Sequence, residues 1–166
     1  MSLVLGNLAG VPISLGPQAA VLADVAERIA RRESGGVVSI TNTESMYHAL
    51  RKPDHLNLIR RAQHSLCDGV GVIVAGWFWG LRVPRYNGPV FQLDCSRMGV
   101  QRGWRHFYYG GKEGVADLMA LKLSARFPGL QVVGTYCPPF RELTTEEDER
   151  VVQMINDANP DFVWVG

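Results

Sequence analysis

"RHFYYGGKEGVADLMALKLSARFPGLQVVGTY", residues 105–136, is the stretch whose reading decides the fold. Arg105–Tyr109 reads as a strand, rich in the aromatic side chains that suit a pleated surface. Gly110-Gly111 turns the chain out of it. Val115–Arg126 is an amphipathic helix, and Pro128-Gly129 stops it. Leu130–Tyr136 is a second strand. Two strands joined through a helix run parallel, because a tight hairpin joins only antiparallel ones. The stretch is therefore one strand–helix–strand step of an α/β sheet.

The same alternation runs outward in both directions. Downstream, "CPPF" (137–140) is a rigid loop. Thr145-Glu146-Glu147-Asp148 opens a helix with a capping-box arrangement, its acids favoured at a helix N-terminus. "DFVWVG" (161–166) is a last strand. Upstream, "VPISL" (11–15) is a short strand. Pro17 opens a helix with apolar side chains at Ala19, Leu22, Ala23, Val25, Ala26, Ile29 and Ala30, and Ser34-Gly35-Gly36 ends it. "VVSIT" (37–41) reads as a buried strand. Helices follow at 44–51 and after Pro53. Residues 69–80 read as a helix with Asp68 as its N-cap, 83–89 as a loop, and 91–101 as a helix. The expectation is an α/β fold, a mostly parallel sheet with helices on both faces, in a single domain spanning 1–166.

Composition agrees and excludes some functions. A chain of 166 residues can bury a sizeable core. A net charge of +1 argues neither for nor against nucleic acid, and no nucleic-acid partner is expected. Cys67, Cys95 and Cys137 lie far apart with no CxxC spacing, which argues against a disulfide framework or a zinc site and suits a reducing compartment. The opening "MSLVLGNLAG" lacks a basic region ahead of a long apolar block, so no signal peptide is expected. Gly69–Leu81, the longest uncharged apolar stretch, is too short to span a bilayer.

Several residues are candidates for chemistry. In "YYGGKEGVADL" glycines lie between a strand and a helix, where backbone N–H groups can approach a phosphate, with Lys112 adding charge. The plainer role is a turn, since Gly110, Gly111 and Gly114 complete neither a dinucleotide fingerprint nor a Walker A loop. Asn42 ends a strand, where α/β folds place ligand contacts, and is equally a good helix N-cap. Arg85, in a Pro/Gly loop, suits bidentate binding of a diphosphate. Asp68 sits between Cys67 and an apolar run from Val70 to Ala75. Beyond capping, it suits a general base, partly desolvated by that run and so raised in pKa. "GWFWGL" (76–81) reads as core or a partner surface. The histidines at 48, 55, 64 and 106 form no metal spacing, and no Asp-x-Asp pair is present to hold a metal–nucleotide-sugar complex.

The order of the motifs says more than each alone. A strand ending in Asn42 precedes "CDGVGV" (67–72), "PRYNG" (84–88), "FYYGGKEG" (107–114), "FPGLQVVGTYCPPF" (127–140) and "INDANPDFVWVG" (155–166). This series resembles the WecG/TagA/CpsF glycosyltransferases, glycosyltransferase family 26, over roughly residues 10–166. The resemblance implies a Rossmann-like fold and an inverting transfer from a UDP-sugar to a polyprenyl-diphosphate-linked sugar. The setting would be the cytoplasmic membrane face, in teichoic acid, capsule, common-antigen or exopolysaccharide assembly. It implies no metal and no other cofactor. Asp68 takes the place of the family's proposed base. Asn42 and Arg85 correspond to substrate-binding positions, with Gly69 permitting close approach. Gly110 and Gly111 would lie near the nucleotide, and Phe140 would wall the uridine pocket.

Three departures from the family pattern stand out. Ile40 occupies a position that is often Thr, with Thr41 adjacent as the substrate-side hydroxyl in its place. Val90 replaces an Asp after the "PRYNG" loop. The family's Gly-x-Pro-x-Gln-Glu segment and C-terminal part would follow Gly166, so the expectation is a truncated core, weakly active or inactive alone. A homo-oligomer is compatible with all of this. The competing reading is a non-catalytic nucleotide- or sugar-binding α/β module. A dinucleotide oxidoreductase is disfavoured by the incomplete glycine fingerprint.

Overall fold

A computed structural model describes residues 4–166. Met1–Leu3, the start of the opening decapeptide, lie outside the described residues. The chain divides into two compact units, Met1–Gln92 and Leu93–Gly166, where the sequence suggests one domain.

The first unit begins with a hairpin, β1 (Leu5–Leu8) and β2 (Val11–Ser14). Ala9 and Gly10 both take positive φ, the turn that matches the strands' twist. Only β2 was legible from the sequence, since Leu5–Leu8 shows no β-branched run. α1 (Gln18–Ala30) ends before the expected Ser34-Gly35-Gly36 stop. Arg32 adopts a left-handed φ of 56°, and the N–H groups of Arg32 and Glu33 return to the carbonyls of Ile29 and Arg28. That is a Schellman closure, made here by an arginine in the place glycine usually takes.

β3 (Val38–Thr41) and β4 (His64–Cys67) pair in parallel, Val38 opposite His64 and Thr41 opposite Cys67. Between them run α2 (Thr43–Arg51) and α3 (Pro53–Arg61), and α4 (Val70–Phe78) follows. β4 was not predicted, because His-Ser-Leu-Cys has neither alternation nor β-branched content. All four of its residues are buried, and tertiary partners meet its polar groups except His64 Nδ1. His64 Nε2 meets Asp24 Oδ2 at 2.9 Å, Ser65 Oγ meets Thr41 Oγ1 at 2.7 Å, and the Ser65 N–H donates to Ser14 Oγ at 3.1 Å. The apolar core joins Leu8, Val11 and Ile13 of the hairpin to Met46, Ala49, Ile59, Cys67, Val72 and Val83.

In the second unit β5 (Arg105–Tyr109) is central, flanked by β6 (Gln131–Tyr136) and β7 (Phe162–Val165), all parallel. α5 (Gly88–Arg102), longer than the expected 91–101, precedes them and carries the unit boundary. α6 (Val115–Arg126) matches its expected bounds, and α7 (Thr145–Ala158) connects β6 to β7. The α7 capping box lies one residue earlier than predicted. Thr144 Oγ accepts from the Glu147 N–H, and the Glu147 carboxylate accepts from the Thr144 N–H. A register shift lets β6 pass one extra residue opposite His106/Phe107, and the Phe107 ring lies where a Cβ on Gly134 would stand. The α/β class with parallel pairing is thus present in both units, with an antiparallel hairpin added to the first.

Candidate functional site

The first unit gathers Asn42, Asp68, Gly69 and Arg85 at one sheet edge. β3 and β4 end side by side at Thr41 and Cys67. The next segment of the sheet is supplied by Arg85, which bridges Cys67 in parallel, while the Tyr86 N–H donates to the Cys67 carbonyl at 3.0 Å. Three residues remote in sequence therefore leave adjacent segments at the carboxyl end of one parallel sheet, the place where open α/β sheets bind ligands. Gln18 secures the arrangement, its side-chain amide donating to the Arg85 carbonyl at 3.1 Å. Sequence reasoning missed Gln18, since nothing local in "GPQAA" points sixty-seven residues ahead.

Asp68 is half-buried, and its backbone N–H donates to the Thr41 carbonyl at 2.9 Å. That bond extends the sheet by one residue, and the expected cap by Asp68 is not made. The N-cap of α4 is Gly69, with φ 124° and ψ 153° and no side-chain cap bond, a conformation essentially confined to glycine. Among the described residues the Asp68 carboxylate accepts no hydrogen bond, so it is free to take a proton from a ligand. The neighbouring Cys67 thiol is pushed up in pKa by burial, further by Asp68, and held back by Arg85. Asp68 and Arg85 thus act on one group with opposite signs.

Two helix N-termini meet at this edge. Asn42 caps α2, its Oδ1 accepting from the Ser45 N–H at 2.8 Å, as the sequence suggests. Its amide NH₂ takes no part in that cap. Gly71, in the first turn of α4, has no room for a side chain, because a Cβ there would coincide with the Thr43 hydroxyl of α2. Aligned N-termini of this kind favour an anion. Thr41 does not share the edge. It is fully buried, and its hydroxyl bonds Ser65 in the interior, the inward side of the strand's alternation. Ile40 instead points toward Gly88, whose Cβ would touch it at 3.5 Å.

In the second unit Gly110 and Gly111 make the turn after β5. The Gly110 N–H donates to the Tyr136 carbonyl and the Gly111 N–H to the Gly166 carbonyl, both at 2.9 Å. Both N–H groups are engaged within the sheet, which is the plainer turn role weighed in the sequence. What the glycines supply is space: a Cβ on Gly110 would overlap the Gly166 carbonyl, and both take positive φ. Lys112 is exposed, and the Phe140 ring stands fully in solvent. Among the described residues no group of three or more His, Cys, Asp or Glu side chains could hold a metal ion.

Comparison with known proteins gives the family of the chain. The Glycosyl transferase WecG/TagA/CpsF family model matches residues 6–166. An N-acetylglucosaminyldiphosphoundecaprenol N-acetyl-beta-D-mannosaminyltransferase of Bacillus subtilis (strain 168) is 25% identical over 132 residues, 79% of this chain and 50% of the relative. A protein of the same description from Staphylococcus aureus (strain NCTC 8325 / PS 47) is 27% identical over 128 residues, 75% of this chain and 48% of the relative. The chain therefore spans about half the length of the curated relatives it matches. With its family match running from the first hairpin through β7, the chain belongs to the WecG/TagA/CpsF glycosyl transferase family.

Proposed function

We propose that this chain is the sugar-transfer core of an inverting glycosyltransferase. It would move a sugar, N-acetylmannosamine by similarity to the named relatives, from a UDP-sugar to a polyprenyl-diphosphate-linked sugar. The product would feed bacterial cell-surface polymer synthesis at the cytoplasmic membrane face. The observation that carries the reading is the convergence of Asn42, Asp68 and Arg85 at the carboxyl edge of β3 and β4, between the N-termini of α2 and α4.

The chemistry fits those residues. Asp68 takes the proton of the acceptor hydroxyl while that oxygen attacks the anomeric carbon. The bond from that carbon to the UDP oxygen breaks, and UDP leaves with the electron pair. One carboxylate suffices, because the leaving group needs charge stabilisation rather than a proton. Arg85 and the N–H groups at the start of α4 are suited to supply it. Asn42 has an amide free to orient a sugar hydroxyl. By the family resemblance alone, Gly110, Gly111 and Phe140 of the second unit are further candidates for nucleotide contact. No divalent ion is needed in this scheme. Among the described residues no helix is long and apolar enough to cross a membrane.

The test is calorimetric titration of the chain with UDP, with ADP and NAD as controls and EDTA throughout. Selective binding of UDP supports the reading. If neither this chain nor one of the relatives' full length binds UDP, the reading is overturned.

A further inference from the structure

We propose that the outward face of α4 is a bilayer-docking surface for anionic lipid, set beside the reaction edge. The inference rests on the glycosyltransferase reading for its purpose, which is to meet a lipid-linked acceptor. α4 is apolar all round. Val72 and Gly76 are buried, with Ile73 and Ala75 packed on the core, and a Cβ on Gly76 would collide with Val83. The inner face is therefore occupied. Val70, Val74, Trp77 and Phe78 form a second stripe at i, i+4, i+7 and i+8, and it points to solvent. Val70 is 64% exposed, Trp77 66% and Phe78 83%, and Trp79 just beyond the helix is 57% exposed. The aromatic triplet within "GWFWGL" is thus surface, while Gly76 is buried and Leu81 packs on the core.

Charge selects the occupant. No carboxylate occurs between Asp68 and Asp94, while Arg82 and Arg85 follow the aromatic cluster directly and are both exposed. Neighbouring Trp, Phe and Trp trailed by Arg82 is the chemistry of the membrane interface, where indole rings sit at headgroup level and a guanidinium meets lipid phosphate, Arg85 being left to the leaving group. The geometry serves the reaction. A nine-residue helix is about 13 Å long, and Asp68 precedes its first residue by two. With α4 lying in the plane of the interface, Asp68 stays at headgroup height, where a diphosphate-linked sugar is presented.

The experiment is co-sedimentation of the full chain with phosphatidylglycerol/phosphatidylcholine vesicles that contain no sugar lipid, alongside tryptophan fluorescence. Wild-type protein is expected to partition onto these vesicles with a blue shift, and less onto pure phosphatidylcholine. Trp77→Ser/Phe78→Ser/Trp79→Ser should lower partitioning by about tenfold or more, with the circular dichroism unchanged because the three side chains are exposed. Arg82→Glu should weaken binding chiefly at low salt. Absence of vesicle binding by the wild type, or equal binding by the triple variant, overturns the proposal. So does a wild-type dimer in sedimentation velocity that the triple variant dissolves, since the face would then belong to a second copy. UDP titration of the triple variant separates this proposal from the catalytic one: intact UDP binding with lost vesicle binding is the expected pair.

Discussion

The backbone N–H of Asp68 donates to the carbonyl of Thr41 at 2.9 Å, so the proposed base is held by the sheet through its main chain and its carboxylate is left unspent. Its oxygens are not drawn into the cap of α4 either. Gly69 takes the cap position instead.

Asp68→Asn preserves that backbone bond and removes only the basic oxygen. In a protein of the relatives' full length, turnover should fall by about 10²- to 10⁴-fold, with UDP affinity nearly unchanged. Undiminished turnover would remove Asp68 as the base.

Gly71→Ala places a methyl group on the Thr43 hydroxyl. The cost should be about 1–3 kcal/mol, read from urea unfolding, together with weaker UDP binding. Adding Thr43→Ala to the same chain should restore much of both. A double variant as poor as the single one would show that the two helix starts are not in contact.

Gly69→Ala meets no neighbouring atom, since nothing lies within 4 Å of the built Cβ, yet its φ of 124° is strained for any side chain. A loss of about 1–3 kcal/mol is expected. A neutral outcome in the same unfolding experiment would mean that this backbone conformation is not required.

The His106 ring is fully buried and its pKa is pushed down to about 4 by burial, with Asp161 opposing. An unfolded histidine titrates near about 6.5. Between these values the unfolded chain holds the extra proton, so stability declines as pH falls from about 6.5 to about 4 and levels off below. The loss is on the order of 3 kcal/mol. Trp164 Nε1 donates to His106 Nδ1 at 3.0 Å, so His106→Asn keeps an acceptor while removing the titration. Its urea midpoint should change less between about pH 7 and about pH 4.5 than the wild type's. Parallel profiles would refute the assignment.

Thr144→Ala should cost about 0.5–2 kcal/mol, and Thr145→Ala much less, because Thr144 accepts from the Glu147 N–H. The Glu147 carboxylate, held by Arg141 first and the Thr144 N–H second, is kept down to about 2 in pKa. Its contribution is present above the ordinary glutamate range and is lost as pH falls toward about 2. Thermal melts of the two alanine variants decide which threonine is the cap.

Local chemistry was enough for the elements that carry their own start and stop signals. α6 between Gly114 and Pro128, β7 after Asn159-Pro160, and α2 behind Asn42 were legible because their caps and periods lie within a few residues. The family motifs were legible for the same reason, as short strings in a defined order. Tertiary structure alone decided the rest. β4 is a strand because Asp24 and Thr41 meet the His64 and Ser65 side chains, and Ser14 the Ser65 N–H, from 24 to 51 residues away in the chain, a debt no local pattern reveals. The Gly110 and Gly111 donors are spent because β6 and β7 end beside them, and Thr41 is interior because of the face its strand turns inward. An apolar run shows that water is avoided, yet not which side avoids it. Only packing on Val83 showed that α4 has one face in the core and a second, aromatic face left outside.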